Sequence, residues 1–270
     1  MSSLVVVGVD GSSSSDAAVL QAAREARWRG ARLHVVHVFR RPVAPTHVPP
    51  LDLSPLDDLT EGAAQHARSV APEVEITQTV ADGAPVPVLA GESRTADLVV
   101  VGSRGMGGFV GMLLGSTAES LAAHGECPVL VVREEPKNSG PVVLGVDGTP
   151  GGEEAVDFAF AEAALRGTGI VAVHASQPDG EPVDTDMRDA ERLLAQVLAG
   201  RRETFPDVTV RQDVVADDPR ESLIEASRTA PLVVVGSRGR GGFLRLLLGS
   251  VSRALLHHAH CSVAVVRGKA

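Results

Sequence analysis

Leu98-Val99-Val100-Val101-Gly102-Ser103-Arg104-Gly105, then nine residues, then Gly115-Ser116, is the stretch on which the reading of this chain turns. An apolar run that ends in turn residues reads as a buried strand. A glycine-rich loop that leaves a strand and opens a helix is suited to phosphate, because loop amides and the helix end both present positive charge. The chain writes the pattern again as Leu232-Val233-Val234-Val235-Gly236-Ser237-Arg238-Gly239, nine residues, then Gly249-Ser250. Cys127 to Arg133 likewise matches Cys261 to Arg267. The bland alternative is a tight turn before a glycine-capped helix, and two full copies favour phosphate over it.

The repeat divides the 270 residues into two domains, expected at 1–135 and 141–270, with a linker of Pro, Lys, Asn, Ser and Gly character over 134–140. In the first half, strands are expected at 4–9, 33–39, 74–80, 98–101 and 129–132. Helices are expected from the serines at 12–15 to Gly30, from the end of a proline-rich irregular stretch (40–55) to Val70, and over 84–95 and 116–124. The second half repeats the order, with strands at 142–146, 170–175, 208–215, 232–235 and 263–266. Its helices are expected at 153–166, 184–203, 220–229 and from 250. Strict alternation of this kind implies an α/β fold, a parallel sheet with helices on both faces.

Composition narrows the function. A formal charge of −9 argues against non-specific binding of nucleic acid or acidic membrane. With no Tyr, one Trp and six Phe there is little to build a base-stacking platform. No apolar run reaches the length of a membrane span and no basic-then-apolar leader opens the chain, so a soluble cytoplasmic protein is expected. Two cysteines at equivalent repeat positions read as packing residues. His37 and His174, also equivalent, read as satisfied strand-end histidines, and His257, His258 and His260 as a solvated helix end.

An early strand ending in Asp10-Gly11, combined with Gly-x-x-Gly-x9-Gly-Ser after the fourth strand, resembles the universal stress proteins of the ATP-binding type. The likeness covers both halves, so the chain looks like a tandem member. It implies two doubly wound domains, each with a five-stranded sheet of order 3-2-1-4-5, and dimer-like pairing through the last strand. It further implies ATP as ligand, with or without Mg2+, a homodimer, an unidentified protein partner, and a role in stress survival and growth control.

The site residues follow from motif and resemblance together. Gly102, Gly105, Gly236 and Gly239 let loop amides approach phosphate. Gly115, Ser116 and Thr117, with Gly249, Ser250 and Val251, open the next helix and offer its amides. Ser103 and Ser237 are expected to add hydroxyl donors, and Arg104 and Arg238 either to neutralise phosphate or to remain solvated. The resemblance places Asp10 and Asp147 against the base or sugar, or else as helix caps, and the backbone of Val38 and Ala175 against adenine. Bulkier residues at Gly102 and Gly236 are expected to abolish ATP binding and leave the fold largely intact. A slow ATPase or phosphotransferase is the enzymatic alternative, weakened because the chain lacks Gly-x-x-x-x-Gly-Lys-Ser/Thr and a placed base. A dimerisation module that binds no nucleotide is the structural alternative.

Overall fold

Among the described residues, the apolar runs read from the sequence form ten strands, five in each of two units, Met1–Glu134 and Glu135–Ala270. The computed structural model describes residues 3–41, 52–106, 114–133, 139–175, 183–239 and 248–268. Most of the proline-rich stretch and most of the linker lie outside these residues.

The first unit runs β1 (Leu4–Val9), α1 (Ser13–Arg29), β2 (Arg32–Phe39), α2 (Ser54–Val70), β3 (Ile76–Asp82), α3 (Pro85–Glu92), β4 (Leu98–Gly102), α4 (Ser116–His124) and β5 (Val129–Val132). Its strands lie in the order β3-β2-β1-β4-β5, all parallel. The second unit runs β6 (Val142–Gly145), a short 3-10 turn (Pro150–Gly152), α5 (Glu153–Arg166), β7 (Ile170–Ala175), α6 (Val183–Leu198), α7 (Arg201–Thr204), β8 (Val210–Val215), α8 (Pro219–Ala226), β9 (Leu232–Gly236), α9 (Ser250–His258) and β10 (Ser262–Val266). Its order is β8-β7-β6-β9-β10, again parallel.

Helices cover both faces of each sheet. That cover is why β1, β4, β6 and β9 are near-continuous Val and Leu, with the residues Val5–Val7 and Leu232–Val234 fully buried. In the first unit α1 packs on α2, and α3 on α4. Glu25 is buried in α1 and pairs with Arg29, one helical turn on; α5 repeats the device with Glu162 and Arg166 at 2.9 Å. Both helices stop at left-handed glycines, Gly30 and Gly167.

Local chemistry sets the element ends. Ser12 caps α1 by accepting from Ser15 N–H, so the serines at 13–15 lie inside the helix. Ser54 and Pro55 belong to α2, where Pro55 falls in the first turn and loses no helical hydrogen bond. The long helix expected over 184–203 is broken: Gly200 takes φ +80 and separates α6 from the four-residue α7. A left-handed residue cannot continue a right-handed helix, and glycine adopts that conformation at least cost. Among the described residues, no helix is long and apolar enough to cross a membrane.

Candidate functional site

Chain order and strand order together create a crevice in each unit. β1 pairs with both β2 and β4, so connections leave it in opposite directions and their helices part at the carboxyl ends. Asp10 follows β1 and Gly102 ends β4 at this point; Asp147 and Gly236 stand likewise beside β6 and β9.

In the first unit Asp10 binds across the crevice. Its Oδ1 accepts from the N–H of Ser12 at 3.0 Å and the hydroxyl of Ser12 at 2.6 Å, while Oδ2 accepts from the N–H of Met106 at 2.8 Å. Gly105 permits this approach, since a Cβ there would lie 2.5 Å from Oδ2. Three further loop amides are engaged too. Ser103 N–H donates to Val132 O at 2.9 Å, Arg104 N–H to Ser14 Oγ at 3.1 Å, and Gly115 N–H to Ser103 O at 2.7 Å. In this unit the Ser103 and Arg104 amides are thus engaged within the protein. With the Gly115 amide, they hold the loop to β5, to α1 and to its own far end.

The second half of the motif is different. Gly115 and Gly249 are the N-caps of α4 and α9, and neither helix start receives a side-chain cap. The first-turn amides of Ser116, Thr117 and Ala118, and of Ser250, Val251 and Ser252, thus keep the orientation in which a helix end attracts an anion. Ser116 and Ser250 are exposed.

In the second unit these groups surround a cavity of about 700 Å³. Asp147, Ala175, Gly236, Arg238, Gly239, Gly249, Ser250 and Val251 all line it. Asp147 repeats the Asp10 geometry, its Oδ1 accepting from Thr149 N–H at 2.9 Å and Thr149 Oγ1 at 2.8 Å. A Cβ on Gly239 would lie 2.7 Å from its Oδ2. Neither aspartate caps a helix directly; each shapes the turn after the first strand of its unit.

Ser103 and Ser237 depart from expectation. Both are buried, and Ser237 does not line the cavity; its carbonyl accepts from Gly249 N–H and from Ser252 Oγ. They close the loop with backbone atoms. Arg104 and Arg238 are exposed. Val38 sits half-buried one residue past His37, the register partner of Val9, so β2 brings it level with Asp10. The two histidines are buried, with Nδ1 2.8 Å from Val9 O in His37 and 2.7 Å from Val146 O in His174. That contact requires a protonated Nδ1 and fixes the ring at the strand ends. His257 and His258 close the last turn of α9. Among the described residues no three His, Cys, Asp or Glu side chains gather as a metal site.

Other cavity residues were not anticipated: Gln196, Val197 and Arg201 from α6 and α7, and Pro219 and Leu223 from α8. Arg201 pairs with Asp157 at 3.0 Å and Glu153 at 3.8 Å, which pins it to α5 at the cavity wall. No local motif marks it, because its partners lie over forty residues away on another helix.

Cys127 has its thiol pushed up to about 12, chiefly by burial. The thiolate is the nucleophile, so Cys127 in the folded chain at pH 8 should alkylate on the order of 10³-fold more slowly than an unfolded cysteine. Iodoacetamide labelling followed by peptide mass spectrometry, with and without urea, checks this; equal rates would refute it.

The model of the universal stress protein family matches residues 1–133 and, a second time, residues 139–267. Universal stress protein Rv1996 of Mycobacterium tuberculosis is 38% identical over 309 aligned positions, spanning 97% of this chain and 94% of that one. Universal stress protein Rv2005c of the same organism is 39% identical over 288 positions, spanning 97% and 96%. Among solved structures, a universal stress protein from Archaeoglobus fulgidus shares the fold with a TM-score of 0.73 at 21% identity, over 97% of each chain. With the domain matched twice and relatives aligned nearly end to end, this chain belongs to the universal stress protein family and is a tandem member of it.

Proposed function

We propose that the chain is an adenine-nucleotide-binding regulator, taking ATP, with or without Mg2+, at the carboxyl ends of each sheet. In this reading the phosphates lie on the first turns of α4 and α9, at Ser116–Thr117 and Ser250–Val251. The base reaches toward the backbone of Val38 and Ala175, and Asp10 and Asp147 form the opposite wall. The nucleotide then biases conformation or partner choice in stress response and growth control. A cytoplasmic homodimer that engages a further protein completes the proposal.

One observation carries most of the weight. The uncapped start of α9 opens on a cavity of about 700 Å³ that Asp147 and Ala175 also line. That volume lies within the roughly 300–1,000 Å³ of small-molecule sites. Three or four hydrogen bonds to a charged phosphate, less ordering costs, support binding near micromolar, about −8 kcal/mol.

The test uses opposing effects. Ser250→Asp places a carboxylate where the helix end favours negative charge, so the fold should hold or gain by about 0.5 kcal/mol. The same carboxylate competes for the amides and repels phosphate, and ATP affinity at that unit should fall roughly tenfold or more. Calorimetric titration with ATP reads the second effect and thermal unfolding the first. Unchanged affinity in Ser250→Asp and in its counterpart Ser116→Asp would remove the helix starts from binding.

A further inference from the structure

The two crevices are built from one motif but are not equally open. In the first, Ser14 is buried and its Oγ accepts from Arg104 N–H at 3.1 Å. The start of α1 also presses on the end of β4: a Cβ on Gly102 would lie 2.6 Å from the carbonyl carbon, the carbonyl oxygen and the Oγ of Ser14. In the second unit Gly151 stands where the first has Ser14, four residues after the aspartate in each case. It brings no hydroxyl, and among the described residues nothing accepts from Arg238 N–H. The approach is wider as well, because a Cβ on Gly236 would lie 3.8 Å from Gly151 O.

We infer that Ser14 is a built-in competitor of the first site, so that the tandem chain carries a tighter second site and a weaker first one. This rests on the nucleotide reading above. A ligand phosphate in the second unit meets the Arg238 amide ready to donate. In the first unit it must displace the Ser14 hydroxyl and shift the start of α1 before the Arg104 amide is offered. The graded pair would fill in sequence as nucleotide concentration rises, the second unit responding at low levels and the first only at high ones.

Backgrounds in which one site is weakened test this in the full chain by calorimetric titration with ATP. Ser250→Asp weakens the second site; in that background Ser14→Gly or Ser14→Ala should raise the first site's affinity roughly tenfold, the value of one released hydrogen bond. Ser14→Ala keeps a helix-forming side chain, in case glycine loosens α1. Ser116→Asp weakens the first site further; in that background Gly151→Ser should lower the second site's affinity roughly tenfold. The added side chain has room, since nothing lies within 4 Å of a Cβ at Gly151. If both Ser14 variants bind ATP no tighter than their background, the grading is wrong and the nucleotide reading stands. If the parent chain gives no heat with ATP, both are overturned.

Discussion

Gly102→Ala should destabilise the first unit by about 2–3 kcal/mol, the upper part of the usual range of roughly 1–3 kcal/mol for forcing an extra group into packed structure. The new Cβ would lie 2.6 Å from the carbonyl carbon and oxygen of Ser14. These are backbone atoms of α1 and cannot rotate away as a side-chain tip would. Relief requires α1 to move off β4, opening contacts with Val5–Val7 and Leu98–Val101, which are almost fully buried. The equivalent change at Gly236 should cost under about 1 kcal/mol, because its nearest neighbour, Arg238 O, is 3.2 Å away and needs to yield only slightly. Hydrogen-exchange mass spectrometry separates the units by peptide, and thermal unfolding should show a fall of roughly 10 °C for Gly102→Ala. Equal losses at the two glycines would contradict the asymmetry. A substitution at Gly102 therefore reports on the fold as well as on any ligand.

Phe160→Ala should cost the second unit about 3–5 kcal/mol. Phe160 is fully buried in α5, and its ring lies 5.8 Å from that of Phe205 in a tilted arrangement. The first unit has Ala23 at the matching position of α1, so the aromatic pair belongs to the second repeat. Phe205 ends α7, and its N–H donates to Arg201 O at 2.8 Å. Truncating Phe160 leaves a void beneath α7 and loosens the element that carries Arg201 to the cavity wall. Phe160→Leu, which keeps most of the volume, should cost under about 1.5 kcal/mol. Urea unfolding followed by far-ultraviolet circular dichroism measures both; similar midpoints for parent and Phe160→Ala would show that the site collapses without penalty.

What could be read in advance divides along a physical line. Strands β1, β4, β5, β7 and β9 were legible because burial on both faces demands continuous apolar residues, a signal carried by each segment alone. Helix ends marked by Gly30 and Gly167 were legible for the same local reason. The split at Gly200 was not legible, because an isolated glycine inside a helical stretch is often tolerated. In the site, the aspartates, glycines and helix-opening residues could be named, yet the direction of their hydrogen bonds could not. Whether Arg104 N–H faces a ligand or Ser14 depends on how close α1 lies to β4, and that distance is set by packing across the whole unit. Arg201 was illegible because only tertiary structure joins it to Asp157.

The Asp10 clasp has a consequence for how the chain is made. Asp10 and Met106 are 96 residues apart, and Ser14 and Arg104 are 90 apart. Neither contact exists until the fourth strand has emerged and zipped beside the first. Joining such remote partners requires closing a long stretch of chain, which places it late on the route from ribosome to native state. A nascent polypeptide therefore forms its first crevice only after the fourth strand has joined the sheet, and fragments ending before residue 98 should lack these contacts however much helix they form.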